Sequence, residues 1–411
     1  MHVLFIHRNF PAQFGHIARH LITQRGYRCT FVSETPAGVV DGIQKLQYRP
    51  KRGATAQTHY CSRTFENAIW HSAGVYGALR PRRNSLKPDL IVGHSGFGST
   101  LFLPELFPDT PIINYFEYFY RPHKSDMDFR PEWSVPEINY LRSRARNAMI
   151  LLDLENCRSG YTPTHFQQSL FPSSYRSKIR VIHDGIDTSI WNRNGKTDRT
   201  VGSLSIPAGT RIVTYVSRGL ESMRGFDIFM RAAKRIYEQY PKVVFLVVGS
   251  DRVCYGGDSN YIKEKTFVEH VLRRDDYDLK RIRFLGRVPP KELAHILSLS
   301  DLHIYLTVPF VLSWSMLNAM ACGCVVLGSN TPPVTEVIEH KKNGLLCNFF
   351  DFEDIANTAL EVLRDPGGYR YLGAAAADTV VKRYSVETIL PDMEAFYREI
   401  ACKGITARQT R

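Results

Sequence analysis

DLHIYLTVPFVLSWSMLNAMACGCVVLGSN, residues 301–330, decides the fold. A short apolar run, DLHIYLT, leads into a segment with helical spacing, and a second apolar run, CVVLGSN, follows. Within the middle segment Met316, Leu317, Met320 and Ala321 share one helical face. Ser313 stands where a hydroxyl can cap the first turn, and Gly323 where a left-handed residue can end the helix. Strand, helix and strand in that order make a parallel α/β unit.

The same alternation extends in both directions. Downstream of residue 205, RIVTYVSRG, KVVFLVVGSD and IRFLGRV read as strands, and FDIFMRAAKRIYEQY and PKELAHILSLS as helices, with another helix near 351–364. Upstream, HVLFIH, RCTFVSE, DLIVGHS and TPIINYF alternate with AQFGHIARHLITQRG, a helical pattern near 57–78 and another near 137–158. Nearly continuous apolar strands imply parallel sheets covered on both faces. Between the halves, NRNGKTDRTVGSLS (192–205) is polar and aperiodic and reads as a linker. The expectation is two Rossmann-like domains, 1–195 and 206–385, facing each other across a cleft. The last helical segment, within 386–411, is long enough to cross back to the first.

The chain has 411 residues, 44% of them hydrophobic and 23% charged, which describes a folded protein with more than one core. No apolar run reaches the roughly 18 residues that span a bilayer. MHVLFIHRNF lacks the plan of a signal peptide and reads as a first strand. Eight cysteines are scattered without a CxxC pair, so buried thiols in a reducing cytoplasm are expected and no metal site is. The net charge of +13 is dispersed. Its short clusters, YRPKR at 48–52 and RPRR at 80–83, suit a solvated face, an anionic membrane surface or a charged acceptor. No nucleic-acid-binding module is present, so specific nucleic-acid binding is not expected.

In open parallel sheets ligands bind beyond the carboxyl ends of the strands. After the first strand comes HRNFPAQFGH, where Gly15 permits close approach of a ligand or merely serves an ordinary turn. It is not GxGxxG, so no dinucleotide fingerprint exists. His94, at the end of DLIVGH, is placed to act as a general base, to bond a sugar hydroxyl or to hold its own turn. Glu117, in INYFEYFY, either touches a ligand or pairs with Arg121. In the second half Arg218 ends a strand and Arg224 opens a helix, with glycine beside each. Two guanidiniums at a helix N-terminus suit a diphosphate. The start of the 313 helix and Glu336 complete the expected wall, the helix tip offering free N–H groups to an anion.

These pieces resemble one family. VSRGLESMRGFDIFMRA, FLVVGSD, IRFLGRVP, LSWSMLNAMACGCVVLGSN, TPPVTEVI and NGLLC are similar to the nucleotide-sugar domain of the retaining glycosyltransferases of family 4, of bacterial type, which have the GT-B fold. The first half agrees more loosely, through VLFIHRNFPAQFGHIARHL and PDLIVGHSGFG. The resemblance implies an acceptor-side domain, then a nucleotide-sugar domain in which Arg218 and Arg224 bind the donor diphosphate. It places Gly249, Arg287 and Val288 near the nucleotide, with Phe310, Leu312, Ser313, Asn318 and Glu336 in the donor site. It also implies transfer of a sugar from a UDP- or GDP-sugar to a glycan, lipid-linked or small-molecule hydroxyl acceptor, without a further cofactor and with retention of configuration, in cell-surface glycan synthesis. His94, Glu117, Arg218 and Arg224 are the candidate catalytic residues, in a cytoplasmic protein with peripheral membrane contact left open.

The chain departs from the family at two points. Phe310 and Asn318 stand where the family motif has two glutamates, and Ser313 replaces its glycine. A neutral asparagine accepts a weaker hydrogen bond than a carboxylate. A binding protein without turnover therefore stays open beside the transferase, as does a sugar-nucleotide epimerase or hydrolase on the same scaffold.

Overall fold

The computed structural model describes residues 1–193, 195 and 198–409. Of the linker read at 192–205, positions 194, 196 and 197 lie outside the described residues. The chain divides into two compact units, one made of 1–185 with 386–411 and the other of 186–385.

The first unit holds a parallel sheet of seven strands: β1 (His2–Ile6), β2 (Arg28–Ser33), β3 (Ile43–Gln47), β4 (Leu90–His94), β5 (Ile112–Tyr115), β6 (Ser159–Thr162) and β7 (Ile179–Val181). Their order is β3-β2-β1-β4-β5-β6-β7. Alternate residues of β1 go to opposite faces, as a pleated strand requires. Val3 and Phe5 join Phe31, Leu90 and Val92 beneath helix Gly15–Arg25. Leu4 and Ile6 join Val32 and Ile91 beneath helices Arg63–Leu79 and Glu137–Asn156. Helix Val386–Gln409 belongs to this unit, with Met393, Phe396, Tyr397 and Ile400 closing the first of these layers. Its buried Glu394 ties it to the neighbouring helix through His20 Nε2 at 2.9 Å and Arg25 Nε at 2.7 Å.

The second unit opens with a small antiparallel hairpin, β8 (Thr200–Val201) and β9 (Leu204–Ser205), inside the stretch whose polarity suggested a linker. Its parallel sheet contains β10 (Arg211–Gly219), β11 (Val243–Ser250), β12 (Ile282–Gly286), β13 (Leu302–Tyr305), β14 (Val326–Ser329) and β15 (Leu345–Cys347). Their order is β12-β11-β10-β13-β14-β15. One face is aromatic: Tyr215 stacks on Phe229 with ring centroids 4.5 Å apart, and Phe229 meets Phe245 edge-on. The other is aliphatic, with Ile212, Val216, Leu246 and Val326 packed by Met316, Leu317 and Met320. The opening stretch therefore folds as its pattern predicts: β13, helix Trp314–Ala321 and β14, with Gly323 at φ +72°.

Three elements escape the apolar alternation for physical reasons. β3 is a half-exposed edge strand, IQKLQ, and β15 is only three residues long. Helix Pro366–Arg383 buries small residues, Gly373 and Ala376 among them, because it lies against the backbone of Gly323. A Cβ at Gly373 would stand 2.3 Å from the Gly323 carbonyl.

Phe396 is fully buried between the last helix and the first sheet. Phe396→Ala should therefore destabilise the first unit by about 3–5 kcal/mol, read as a lowered urea midpoint of that unit's transition.

Candidate functional site

Each unit carries a candidate site where the strand order of its sheet reverses, the place such sheets reserve for ligands. In the first sheet that point lies between β1 and β4. His7 follows β1 and His94 ends β4, and their rings meet edge-on with centroids 5.0 Å apart. A cavity of about 390 Å³ opens beside them. Arg8, His94, Phe97, Glu117, Tyr120 and Arg146 are among its walls.

The hydrogen bonds set the tautomer of His94. Its Nδ1 lies 2.6 Å from the Ser95 carbonyl, which can only accept, so Nδ1 carries the proton. Nε2 then presents a lone pair, 3.8 Å from a Glu117 carboxylate oxygen. Burial depresses the His94 pKa to about 4, so near neutral pH this approach is not an ion pair, and 3.8 Å is too long for a hydrogen bond. His7 is likewise pushed down to about 3 by burial, helped by His94 beside it. Neutral His94, with neutral His7 packed against it, thus lines a pocket whose walls include the cations Arg8, paired with Glu34 at 2.9 Å, and Arg146, seated 3.6 Å over the Tyr120 ring.

The structure bears on two alternatives left open for this unit. Arg121 is not the partner of Glu117: it donates to the carbonyls of Ser169 and Leu170. Gly15 adopts ordinary helical dihedrals, with φ −62°, and an added Cβ would sit 2.9 Å from the Pro11 ring. Packing against that ring gives its small size a reason without a ligand.

In the second sheet the reversal falls between β10 and β13. β10 ends in exposed Arg218, and a short 3-10 turn, Ser222–Arg224, leads through Gly225 at φ +62° into helix Phe226–Gln239. A side chain at Gly225 would press on Leu306 at 2.8 Å, so the position demands glycine on both counts. The turn folds Arg224 inward until it is only 4% exposed. Its Nη1 donates to Thr307 Oγ1 at 2.6 Å, the Val311 carbonyl at 3.2 Å and the Tyr305 hydroxyl at 3.3 Å. Among the described residues its Nε and Nη2 make no hydrogen bond. A buried guanidinium aimed by one nitrogen, with the other N–H groups uncommitted, is shaped to receive an anion bidentately.

Tyr255 brings the two arginines together. The guanidinium carbons of Arg218 and Arg224 lie 5.9 and 5.4 Å from its ring centroid, and Phe310 packs 5.6 Å from the same ring. The tip of helix Trp314–Ala321 joins this network, though not as an open anion site. Tyr305 accepts the Ser313 N–H at 2.9 Å, and Ser313 Oγ accepts the Ser315 N–H at 3.3 Å. The Ser313 hydroxyl thus caps the first turn as expected, and the Ser313 N–H is taken as well, because backbone donors this close to a core are seldom left unpaired.

The remaining candidates surround this centre to different degrees. Asn318 is buried, and its Oδ1 has no partner among the described residues. Leu312 and Val288 pack half-buried against the aliphatic core. Gly249, at φ +155°, would drive a Cβ to 2.3 Å from the Ser217 carbonyl, so it is fixed by the close approach of β10. Arg287 is exposed just past β12, the edge strand of this sheet. Glu336 ends the short helix Pro332–Thr335; Tyr384 has its hydroxyl pKa raised by burial and, more weakly, by the Glu336 carboxylate. Tyr255, Tyr305 and Thr307 were not among the expected residues. Each follows the carboxyl end of a strand or closes it, which is the signal that could have marked them.

A neutral buried His94 has a consequence for pH. Its folded pKa, about 4, lies below the ordinary value of 6.5, so the unfolded chain binds the extra proton between these limits. This group's contribution to stability should be intact above pH 6.5 and decline as pH falls towards 4. The imidazole proton resonances of His94, followed by NMR, should titrate near 4 while those of an exposed histidine move near 6.5.

Comparison with known proteins places this architecture. Residues 25–191 match the profile described as Glycosyl transferase family 4 group, and residues 197–379 match Glycosyl transferases group 1. N-acetyl-alpha-D-glucosaminyl L-malate synthase of Bacillus anthracis is 25% identical over a stretch covering 54% of this chain and 54% of that protein. The chain spans about half the length of the curated relatives it matches. Among solved structures, sucrose-phosphate synthase from Thermosynechococcus elongatus superposes with a TM-score of 0.75 at 18% identity, over 98% of this chain and 100% of that one. Anabaena Alr3699/HepE in complex with UDP-glucose gives 0.70 at 17% identity, over 97% and 100%. With two parallel-sheet units, matches across both halves and these neighbours in fold, the chain belongs to the family 4-like glycosyltransferases of GT-B fold.

Proposed function

We propose that this protein transfers a sugar from a nucleoside-diphosphate sugar to a hydroxyl acceptor, with retention of configuration, in the synthesis of a cell-surface glycan. The observation that carries the reading is Arg224: a buried guanidinium anchored through Nη1, with Nε and Nη2 uncommitted, sharing the Tyr255 ring with Arg218. A pyrophosphate is the ligand class that uses two converging guanidiniums. The UDP-glucose complex of Anabaena Alr3699/HepE, a neighbour in fold, supports a uridine donor.

In this reading the second unit holds the donor and the first the acceptor. The bond between the anomeric carbon and the diphosphate oxygen breaks as the acceptor oxygen bonds to that carbon from the same face. The acceptor proton passes to a phosphate oxygen of the leaving nucleoside diphosphate. Arg218 and Arg224 stabilise the charge that gathers there, the electrostatic contribution that usually dominates such reactions. The His94 Nε2 lone pair and the Glu117 carboxylate position the acceptor by accepting hydrogen bonds from its neighbouring hydroxyls, which leaves the proton of the reacting hydroxyl to the phosphate.

A second reading, binding without turnover, rests on Phe310 and Asn318. Phe310 is only 7% exposed and offers a sugar hydroxyl no acceptor, and Asn318 brings an amide where a carboxylate would bind more strongly.

Two measurements decide between them. UDP or GDP should raise the thermal midpoint in a concentration-dependent way, and incubation with labelled donor and an acceptor panel should release nucleoside diphosphate. Arg224→Ala should lower the transfer rate by about a hundredfold or more while the fold persists. Full transfer by folded Arg218→Ala/Arg224→Ala protein would refute the proposal, and binding without release would favour the second reading.

A further inference from the structure

A buried carboxylate outside the proposed chemistry stands behind the arginine pair. Glu221 lies between Arg218 and Arg224 in the chain and is 0% exposed. Its Oε2 accepts three successive backbone N–H groups, from Cys254 at 2.8 Å and from Tyr255 and Gly256 at 3.0 Å each. Its Oε1 has no hydrogen-bond partner among the described residues. Consecutive N–H groups turned to one point form a concave anion site. Here a carboxylate of the same chain fills it.

Two contacts show how closely the 252–256 loop is seated. A Cβ on Gly219 would lie 2.4 Å from the Arg252 carbonyl and 2.9 Å from Cys254 Sγ. A Cβ on Gly256 would lie 2.8 Å from Asp258 Oδ2 and 3.5 Å from Glu221 Oε2. Asp258, also 0% exposed, accepts the Ser222 N–H through Oδ1 at 3.2 Å. The turn that carries Arg224 and the loop that carries Tyr255 are thus joined by two buried carboxylates. Tyr255 itself is 36% exposed, and its hydroxyl accepts a bond from Arg218 Nη1 at 3.4 Å.

We propose that Tyr255 is a donor-binding residue, its ring backing both guanidiniums so that their N–H edges face the diphosphate, and that Glu221 is its positioning residue. This rests on the reading of Arg218 and Arg224 as the diphosphate grip. A ring within about 6 Å of a guanidinium attracts it, and it excludes water from one side of the charge. The chemistry is independent of base and sugar, so the effect falls on nucleoside diphosphates as a class. Glu221 touches no ligand and acts only through where it holds the loop.

The test is calorimetric titration with UDP, alongside the thermal midpoint of each variant. Tyr255→Ala, at a partly exposed position, should bind UDP about 5- to 30-fold more weakly with little change in midpoint. Tyr255→Phe should stay within about threefold of the parent, because the ring remains. Glu221→Ala leaves the three N–H groups without their acceptor and should weaken UDP binding to a degree similar to Tyr255→Ala. Combined with Tyr255→Ala it should add less than about a twofold further loss, the mark of two residues acting as one. Glu221→Asp withdraws the oxygens by one methylene, should show the same lack of additivity, and serves where Glu221→Ala does not fold. Additive losses, or a Tyr255→Ala protein that binds UDP like the parent, would overturn the inference. Arg218→Ala run in parallel separates the two levels: undiminished UDP affinity there removes the diphosphate reading itself, whereas a loss there with none in Tyr255→Ala removes only this inference.

Discussion

The second unit is organised around one anchored cation. Arg224 is buried, and three oxygens on the segment 305–311 accept from its Nη1: the Tyr305 hydroxyl, the Thr307 hydroxyl and the Val311 carbonyl. A buried guanidinium with no carboxylate among these partners keeps its charge for something else. Charge placed in a low-dielectric setting is more effective there than in water, but it must be held still. The surrounding devices do that holding. Gly225 permits the turn, Tyr305 links the cation to the start of the 314 helix, and Tyr255 faces both arginines.

The first unit solves a different problem with neutral groups. Burial keeps His7 and His94 uncharged well below neutral pH, and the Ser95 carbonyl turns the His94 lone pair towards the cavity. Beneath the same turn lies Asp153, fully buried, its pKa raised to about 7 by that burial, with Thr100 Oγ1 donating to it at 3.3 Å. Neutral acceptors are suited to receiving a hydroxyl, whereas the cationic site of the second unit is suited to receiving phosphate. The division follows from where each side chain sits relative to its sheet, since parallel strands buried on both faces leave polar chemistry to their carboxyl ends.

Much of this was legible from residue order. The alternation of apolar strands and amphipathic helices marked both sheets, because each strand is flanked in the chain by the helix that covers it. Arg218 and Arg224, each with a neighbouring glycine, and His94 at a strand end stood out for the same local reason. What the pattern missed was short, small or half-exposed: β3, β15, and a helix whose buried face is glycine and alanine. The open helix tip was also misjudged, because Tyr305, eight residues before Ser313, takes one of its N–H groups.

The sequence by itself determined the fold class and which residue types stand at the strand ends, since periodicity and residue type are properties of neighbours along the chain. Only the tertiary structure decided that Arg224 is buried rather than on the surface, that Tyr255 joins it to Arg218, and that Glu221 holds the loop on which Tyr255 stands. It also decided that Arg121 answers to carbonyls and not to Glu117. The reason is topological. Parallel strands must be joined by crossovers, so residues that meet at a sheet's carboxyl edge come from segments far apart in the chain, and their spacing carries no local signature.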